Sequence, residues 1–265
     1  MPPYLSVVIP AFNEADRILP TLAAVDAFAP AAGGEVEVIV ADDGSTDATA
    51  QRATGCVLRH VTLRHLPLPH RGKGAAVRDG LLAASGKYRL FMDADGTIPV
   101  SSWGTLRPLL EAGMDVAVGS KRGASEIPLL RTLSGRCFQS LVAAFGLRGF
   151  SDTQCGFKAF TASAVERIFP GLRTEGFAFD VEVLWRARRA GLAVAEAPVT
   201  YRFVSGSRVH LWREAPVMIG TLLRLRFRDQ EHLGPRTRLP EGMTREGRQQ
   251  PPAGGRGAAN NFSRC

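Results

Sequence analysis

The chain has 265 residues, 45% of them hydrophobic and 22% charged, an ordinary globular composition with enough length to bury a full core in one large α/β domain. Its formal net charge of +8 points to an anionic partner, whether nucleic acid, an acidic lipid surface or a phosphorylated substrate. The scattered cysteines Cys56, Cys137, Cys155 and Cys265 form no CxxC pair, which argues against a zinc site or disulfide framework and for a reduced setting.

LSVVIP (5–10) is a short apolar run ending at a breaker, as a buried parallel strand does. Apolar residues at Ile18, Leu19, Leu22, Ala23 and Val25 predict a helix over 16–28. EVEVIVADD (35–43) reads as the second strand, and Gly44-Ser45-Thr46-Asp47 turns into a helix. A third strand is expected over 58–65, a helix over 73–85, a fourth strand over 88–92 and a fifth over 114–119. This alternation predicts a mostly parallel sheet with helices on both faces, in which ligands bind beyond the carboxyl ends of the strands. Asn13-Glu14, Asp42-Asp43 and Asp93-Asp95 all fall at that rim. Further on, 129–145 reads as a partly basic helix, SDTQCGFKAF (151–160) shows little periodicity, and FAFDVEVLWRARRA (177–190) is an amphipathic helix. AVAEAPVTYRF (193–203) is strand-like, and 213–228 is the last ordered element. From Asp229 to Cys265 the chain is rich in Pro, Gly, Arg and Gln, and a disordered basic tail is expected. The N-terminus has no basic n-region, and no stretch reaches the roughly 18–20 uninterrupted apolar residues of a membrane-spanning helix. A soluble or peripheral protein is expected.

FMDADGTIPV (91–100) suits two chemistries. A dehalogenase-type phosphatase would use Asp93 as nucleophile and Asp95 as acid/base. That fold puts its motif after the first strand and needs a later acidic pair to complete its magnesium site, and the chain meets neither condition. The alternative is a divalent ion held by Asp95 and Asp93 against a diphosphate, where it offsets charge building on the leaving group. HRGKGAA (70–76) lacks the GxxxxGK[ST] pattern of a phosphate loop. Its glycines precede a helix whose first amides would favour an anion, so Arg71 and Lys73 are candidates to face the diphosphate. A nucleic-acid partner fits poorly, because the arginines are not interleaved with stacking aromatics and the acidic rim would repel a phosphate backbone.

SVVIPAFNEADRI, VIVADDGSTDAT, RGKGAAVRDGLLAASG and MDADG, in that order, resemble the family 2 glycosyltransferases of GT-A fold. GSKRGAS, LLRTLSGRCFQSLV, SDTQCGFKAF, GFAFDVEVLWRARR and VSGSRV narrow the resemblance to the polyprenyl-phosphate sugar transferases. Among these, DTQCGFK with FAFDVE looks most like the dolichyl-phosphate β-glucosyltransferases. The resemblance covers residues 4–228. It implies a GT-A domain over 1–228, with a nucleotide-sugar and metal half (4–120), an acceptor and sugar half (121–212) and a membrane-interface helix (213–228), followed by the tail 229–265.

The resemblance also implies roles. Pro10, Phe12 and Glu14 would line the base and ribose pocket, with Asp42 or Asp43 accepting from the base; Ser45 also suits a helix cap. Arg71, Lys73, Asp93 and Ala94 would lie along the donor, with Mg²⁺ or Mn²⁺ on Asp93 and Asp95 and Thr97 left outside the metal set. Lys121, Arg131 and Ser134 would grip the lipid phosphate, with Arg122 close by. Asp152 and Gln154 would bond sugar hydroxyls, beside Lys158. Asp180 would do the same or orient a basic neighbour, while Asp180 and Glu182 also suit a helix N-terminus. Arg202, Ser207 and Arg208 would close over phosphate, and Cys155 is expected as a packing residue. The acceptor phosphate, with a second pKa of about 6, is mostly ionised near neutral pH and needs cations rather than a general base. The implied activity is inverting transfer of a hexose, glucose from UDP-glucose, to a polyprenyl phosphate at the cytoplasmic membrane face. GDP-mannose as donor, or a soluble acceptor, is the alternative.

Overall fold

The computed structural model describes residues 1–121, 150–202 and 220–221. The chain divides into a unit of Met1–Glu231 and one of His232–Cys265, and all described residues belong to the first. The helices expected over 129–145 and 213–228 and the tail lie wholly or almost wholly outside the described residues, as do Arg122, Arg131, Ser134, Ser207 and Arg208.

Among the described residues seven strands form one sheet: β1 (Leu5–Ala11), β2 (Val36–Asp42), β3 (Val61–Pro67), β4 (Tyr88–Met92), β5 (Val116–Ser120), β6 (Phe157–Thr161) and β7 (Val194–Pro198). Their order across the sheet is β3-β2-β1-β4-β6-β5-β7. Only β6 runs against its neighbours. The α-helices among the described residues are α1 (Ala15–Phe28), α2 (Thr49–Thr54), α3 (Lys73–Ala83), α4 (Trp103–Glu111), α5 (Ala162–Ile168) and α6 (Phe179–Arg189).

The two faces of the sheet follow from strand alternation. Leu5, Val7 and Ile9 of β1 join Val38, Leu90 and Phe157 in a core covered by α1 and α4 through Ile18, Leu22, Trp103 and Leu106. Val8, Ile39, Phe91 and Val118 face the other way, into a core closed by Val77, Leu81, Ile168, Phe179 and Leu184 from α3, α5 and α6. Strands buried on both faces read as unbroken apolar runs, which is why β1, β2 and β4 are plain in the sequence.

The differences from expectation have local causes. The third strand spans Val61–Pro67 rather than 58–65: as an edge strand it alternates half-buried and exposed residues, and Pro67 ends it opposite Asp42. The last strand stops at Pro198 instead of running to 203. Helix α4 carries Pro108, which disguises its periodicity. Strand β6 lies within SDTQCGFKAF and shows no alternation because Phe157, Lys158, Ala159 and Phe160 are all fully buried. Among the described residues no helix is long and apolar enough to cross a membrane.

Candidate active site

The carboxyl ends of β1, β2, β4 and β5 share one rim of the sheet. The antiparallel β6 begins there, opposite Met92, and so brings the loop 151–156 beside the DADG turn.

The first two rim loops are stitched together. Asn13 adopts a left-handed backbone (φ 55°), and its Oδ1 accepts from the amides of Thr46 (2.8 Å) and Asp47 (3.3 Å). The amides of Asn13 and Glu14 donate to Ser45 Oγ (3.0 Å) and Thr49 Oγ1 (2.8 Å). Ser45 thus ties two loops, and its own amide donates to Asp42 Oδ1 at 2.8 Å. The second oxygen of Asp42 lies 3.0 Å from His65 Nε2. Pro10 sits in β1 opposite Ala41, and Glu14 pairs with Arg17 at 3.3 Å.

Asp43 is buried and occupied: its carboxylate accepts from the amides of Arg71 (2.8 Å) and Gly72 (2.9 Å) and lies 2.9 Å from His70 Nδ1. The resemblance offers Asp42 or Asp43 as the acceptor for the base; in the structure Asp43 also anchors the 70–72 loop. That anchoring stacks His70 on Phe12, with centroids 4.1 Å apart and planes 19° from parallel, an aromatic pair unseen in the motifs.

The amides at the start of α3 are not open to an anion as expected. Those of Gly74 and Ala75 donate to the Glu175 carbonyl, at 2.6 and 3.3 Å. Gly72 (φ 114°) and Gly74 permit this approach, since a Cβ on either would collide with the carbonyls of Glu175 and Thr174. Glu182, buried on α6, accepts from the amides of Arg173 and Thr174 and holds that loop in place. Arg71 turns to Asp79 and to Glu175, 3.8 Å away. Lys73 points inward, with its Nζ 2.5 Å from Asp93 Oδ1 and near the rings of Phe91 and Phe177. Burial alone would depress its pKa, but the carboxylates of Asp93 and Asp180 outweigh that and hold it above the ordinary lysine value.

At the DADG turn, Ala94 is buried and its carbonyl accepts from Thr21 Oγ1 at 2.7 Å. Asp95 Oδ1 accepts from the Thr97 amide (3.0 Å) and hydroxyl (2.8 Å), leaving Oδ2 without a hydrogen bond among the described residues. Thr97, left outside the expected metal set, holds Asp95, which the sequence places in that set. The Arg202 amide donates to the Thr97 carbonyl, and Arg202 and Asp95 together border a cleft of about 500 Å³ against α1. Asp93 is backed by Gly156, where any Cβ would overlap its carboxylate. Two carboxylates with one free oxygen and a movable lysine fit a divalent ion completed by phosphate and water. Among the described residues no cluster of three or more such ligands competes with this site.

Two further lysine–aspartate pairs adjoin it. Lys121 lies 3.4 Å from Asp152 Oδ2, and Glu196 accepts from the amides of Ser151 and Asp152 to hold that loop. Burial would lower the pKa of Lys121, but Asp152 and neighbouring groups raise it instead. Lys158, with no exposed surface, donates to Asp180 (2.5 Å) and the Cys155 carbonyl (2.6 Å). Burial raises Asp180 above the ordinary carboxylate range against the pull of Lys158 and Lys73. Asp180 is thus hydrogen-bonded to a basic neighbour, Lys158. Gln154 is half-buried in the same loop, and Cys155 is buried, its thiol pushed up to about 12 by burial, which suits packing.

Residues 6–169 match the family model described as Glycosyl transferase family 2. The chain belongs to glycosyl transferase family 2. It is a glycosyltransferase. The dolichyl-phosphate β-glucosyltransferase of Saccharomyces cerevisiae is 36% identical over 251 residues, covering 84% of this chain and 74% of that protein. The one of Homo sapiens is 34% identical over 230 residues, covering 77% and 69%. Among solved structures, glucosyl-3-phosphoglycerate synthase from Mycobacterium tuberculosis, crystallised with Mn²⁺, UDP-glucose and glycerol 3-phosphate, superposes with a TM-score of 0.60 at 22% identity over 84% of this chain and 78% of that one. That likeness speaks for the fold, and the sheet described above is that of a GT-A glycosyltransferase.

Proposed function

We propose that this glycosyltransferase moves glucose from UDP-glucose to a polyprenyl phosphate, with inversion, at the cytoplasmic membrane face. The proposal draws its acceptor and sugar from the named activity of the relatives in yeast and human. The observation that carries it is the state of the rim carboxylates. Asp93, Asp152 and Asp180 are each paired with a lysine, and Asp43 is taken up by amides and His70. None of these is placed as an unpaired general base, which suits a nucleophile that is already an oxyanion. A phosphate oxygen attacks C1 of the sugar as the bond from C1 to the UDP oxygen breaks; UDP leaves with the electron pair and no proton need move. Lys121 and Arg202 are the described cations proposed to face the acceptor phosphate, and Lys73 the donor. Asp95 and Asp93 would hold Mg²⁺ or Mn²⁺, which supplies charge stabilisation to the departing diphosphate. The stacked Phe12 and His70 mark the side of the rim for the base.

The test is transfer of label from UDP-glucose or GDP-mannose into organic-extractable lipid by purified protein with Mg²⁺ and a polyprenyl phosphate. Label from UDP-glucose, reduced at least about 100-fold in Asp95→Asn, is the expected result. Label from GDP-mannose alone changes the sugar, and donor binding without lipid label moves the acceptor to a soluble molecule.

A further inference from the structure

The strongest unexplained contact at the rim is that of Lys73. Its ammonium lies on the carboxylate expected to receive a metal, 2.5 Å from Asp93 Oδ1. Asp93 cannot retreat from it: Gly156 packs against its carboxylate on one side, and the Asp93 amide donates to the Gly156 carbonyl at 3.2 Å. Lys73 has the opposite character. Its backbone is fixed at the first residue of α3, where the Glu175 carbonyl clamps the next two amides, but its four-carbon stem can swing. A lysine and a divalent cation cannot share one carboxylate oxygen without strong repulsion in a partly buried site.

We propose that Lys73 is a counter-ion switch: it neutralises Asp93 in the free enzyme and transfers to the donor diphosphate when metal and donor bind together. The proposal rests on the reading that DADG holds the donor's metal and adds a rule to it. Metal alone must displace the ammonium from Asp93 and leave it beside a second cation, so it binds weakly. The diphosphate offers that ammonium a new partner, so donor and metal each tighten the other, and by linkage they do so to the same extent. No covalent step is involved; one ion pair is exchanged for two.

The experiment follows free Mn²⁺ by electron paramagnetic resonance on the full chain, with and without UDP, in the wild type, Lys73→Met and Lys73→Arg. The wild type and Lys73→Arg are expected to bind Mn²⁺ weakly alone and more tightly with UDP. Lys73→Met is expected to bind Mn²⁺ alone about tenfold more tightly than the wild type and to lose most of the gain from UDP. Unchanged or weaker binding of Mn²⁺ alone by Lys73→Met overturns the switch while leaving the metal reading intact. Absence of Mn²⁺ binding in every protein, even with UDP, overturns both. Circular dichroism and a thermal melt check folding. Lys73→Gln, which keeps a hydrogen-bonding group near Asp93, replaces Lys73→Met if that variant does not fold.

Discussion

Among the described residues Lys158 is the charged side chain with the least access to water, and its cost is met by two acceptors, Asp180 and the Cys155 carbonyl. Removing one member of such a pair leaves a buried charge uncompensated, at about 3–5 kcal/mol. Lys158→Met is therefore expected to lose that much stability in urea unfolding, and Lys158→Met with Asp180→Leu to recover most of it. A single variant as stable as the wild type would show that the pair holds nothing. The Lys121–Asp152 pair is half-open and its effect lies in pH. Lys121 is raised above its reference value of 10.5, so the folded state keeps a proton that the unfolded chain has released. Its contribution is complete below pH 10.5 and disappears as pH climbs through the higher folded value. Stability measured against alkaline pH should fall more steeply in the wild type than in Lys121→Met, and equal slopes would refute the coupling.

Between α3 and α6 lies a clamp built from main chain. Glu182 fixes the amides of Arg173 and Thr174, and the next carbonyl, from Glu175, caps α3 and so sets where Lys73 begins. Glu182→Ala strands two amides, at about 1–3 kcal/mol each if they stay buried, and loosens the base of Lys73 without touching the sugar or acceptor. The expected kinetic result is a rise of about tenfold in KM for the donor with kcat nearly unchanged; an equal fall in kcat at constant KM would place Glu182 in the chemistry instead. RGKG is plain in the sequence as two glycines before a helix, yet their reason is not. Their partner loop is about a hundred residues away and carries no pattern that names α3. Glu182 itself reads as an ordinary acid in a first helical turn, because burial and partner, not residue type, give it the role. Strand β6 was hidden for a related reason: alternation disappears when both faces are covered, and a lysine in a strand centre looks like a surface residue until Asp180 is placed opposite it.

Across the whole molecule, the strand–helix rhythm up to β5 made the rim legible, because parallel strands must all end on one side. The reversal of β6 between β4 and β5 was not, since strand pairing is decided by contacts far apart in sequence. That reversal brings Lys121–Asp152 and Lys158–Asp180 beside Lys73–Asp93, three pairs whose own charges cancel. The net charge of +8 then comes from side chains outside those three pairs. If the acceptor is a phosphorylated polyprenol in a bilayer, that charge would draw the protein to an anionic surface, each basic side chain near it adding about 1 kcal/mol. Such attraction is screened over about 10 Å at 0.1 M salt, so co-sedimentation with vesicles containing phosphatidylserine should be strong at low ionic strength and fall sharply as salt rises. Neutral phosphatidylcholine vesicles should retain little protein at either salt. Retention on neutral vesicles at high salt would mean that apolar insertion outweighs charge. No retention on anionic vesicles at low salt would mean that the positive balance serves the phosphates of the substrates alone, and the acceptor would have to reach the rim without the surface bringing it there.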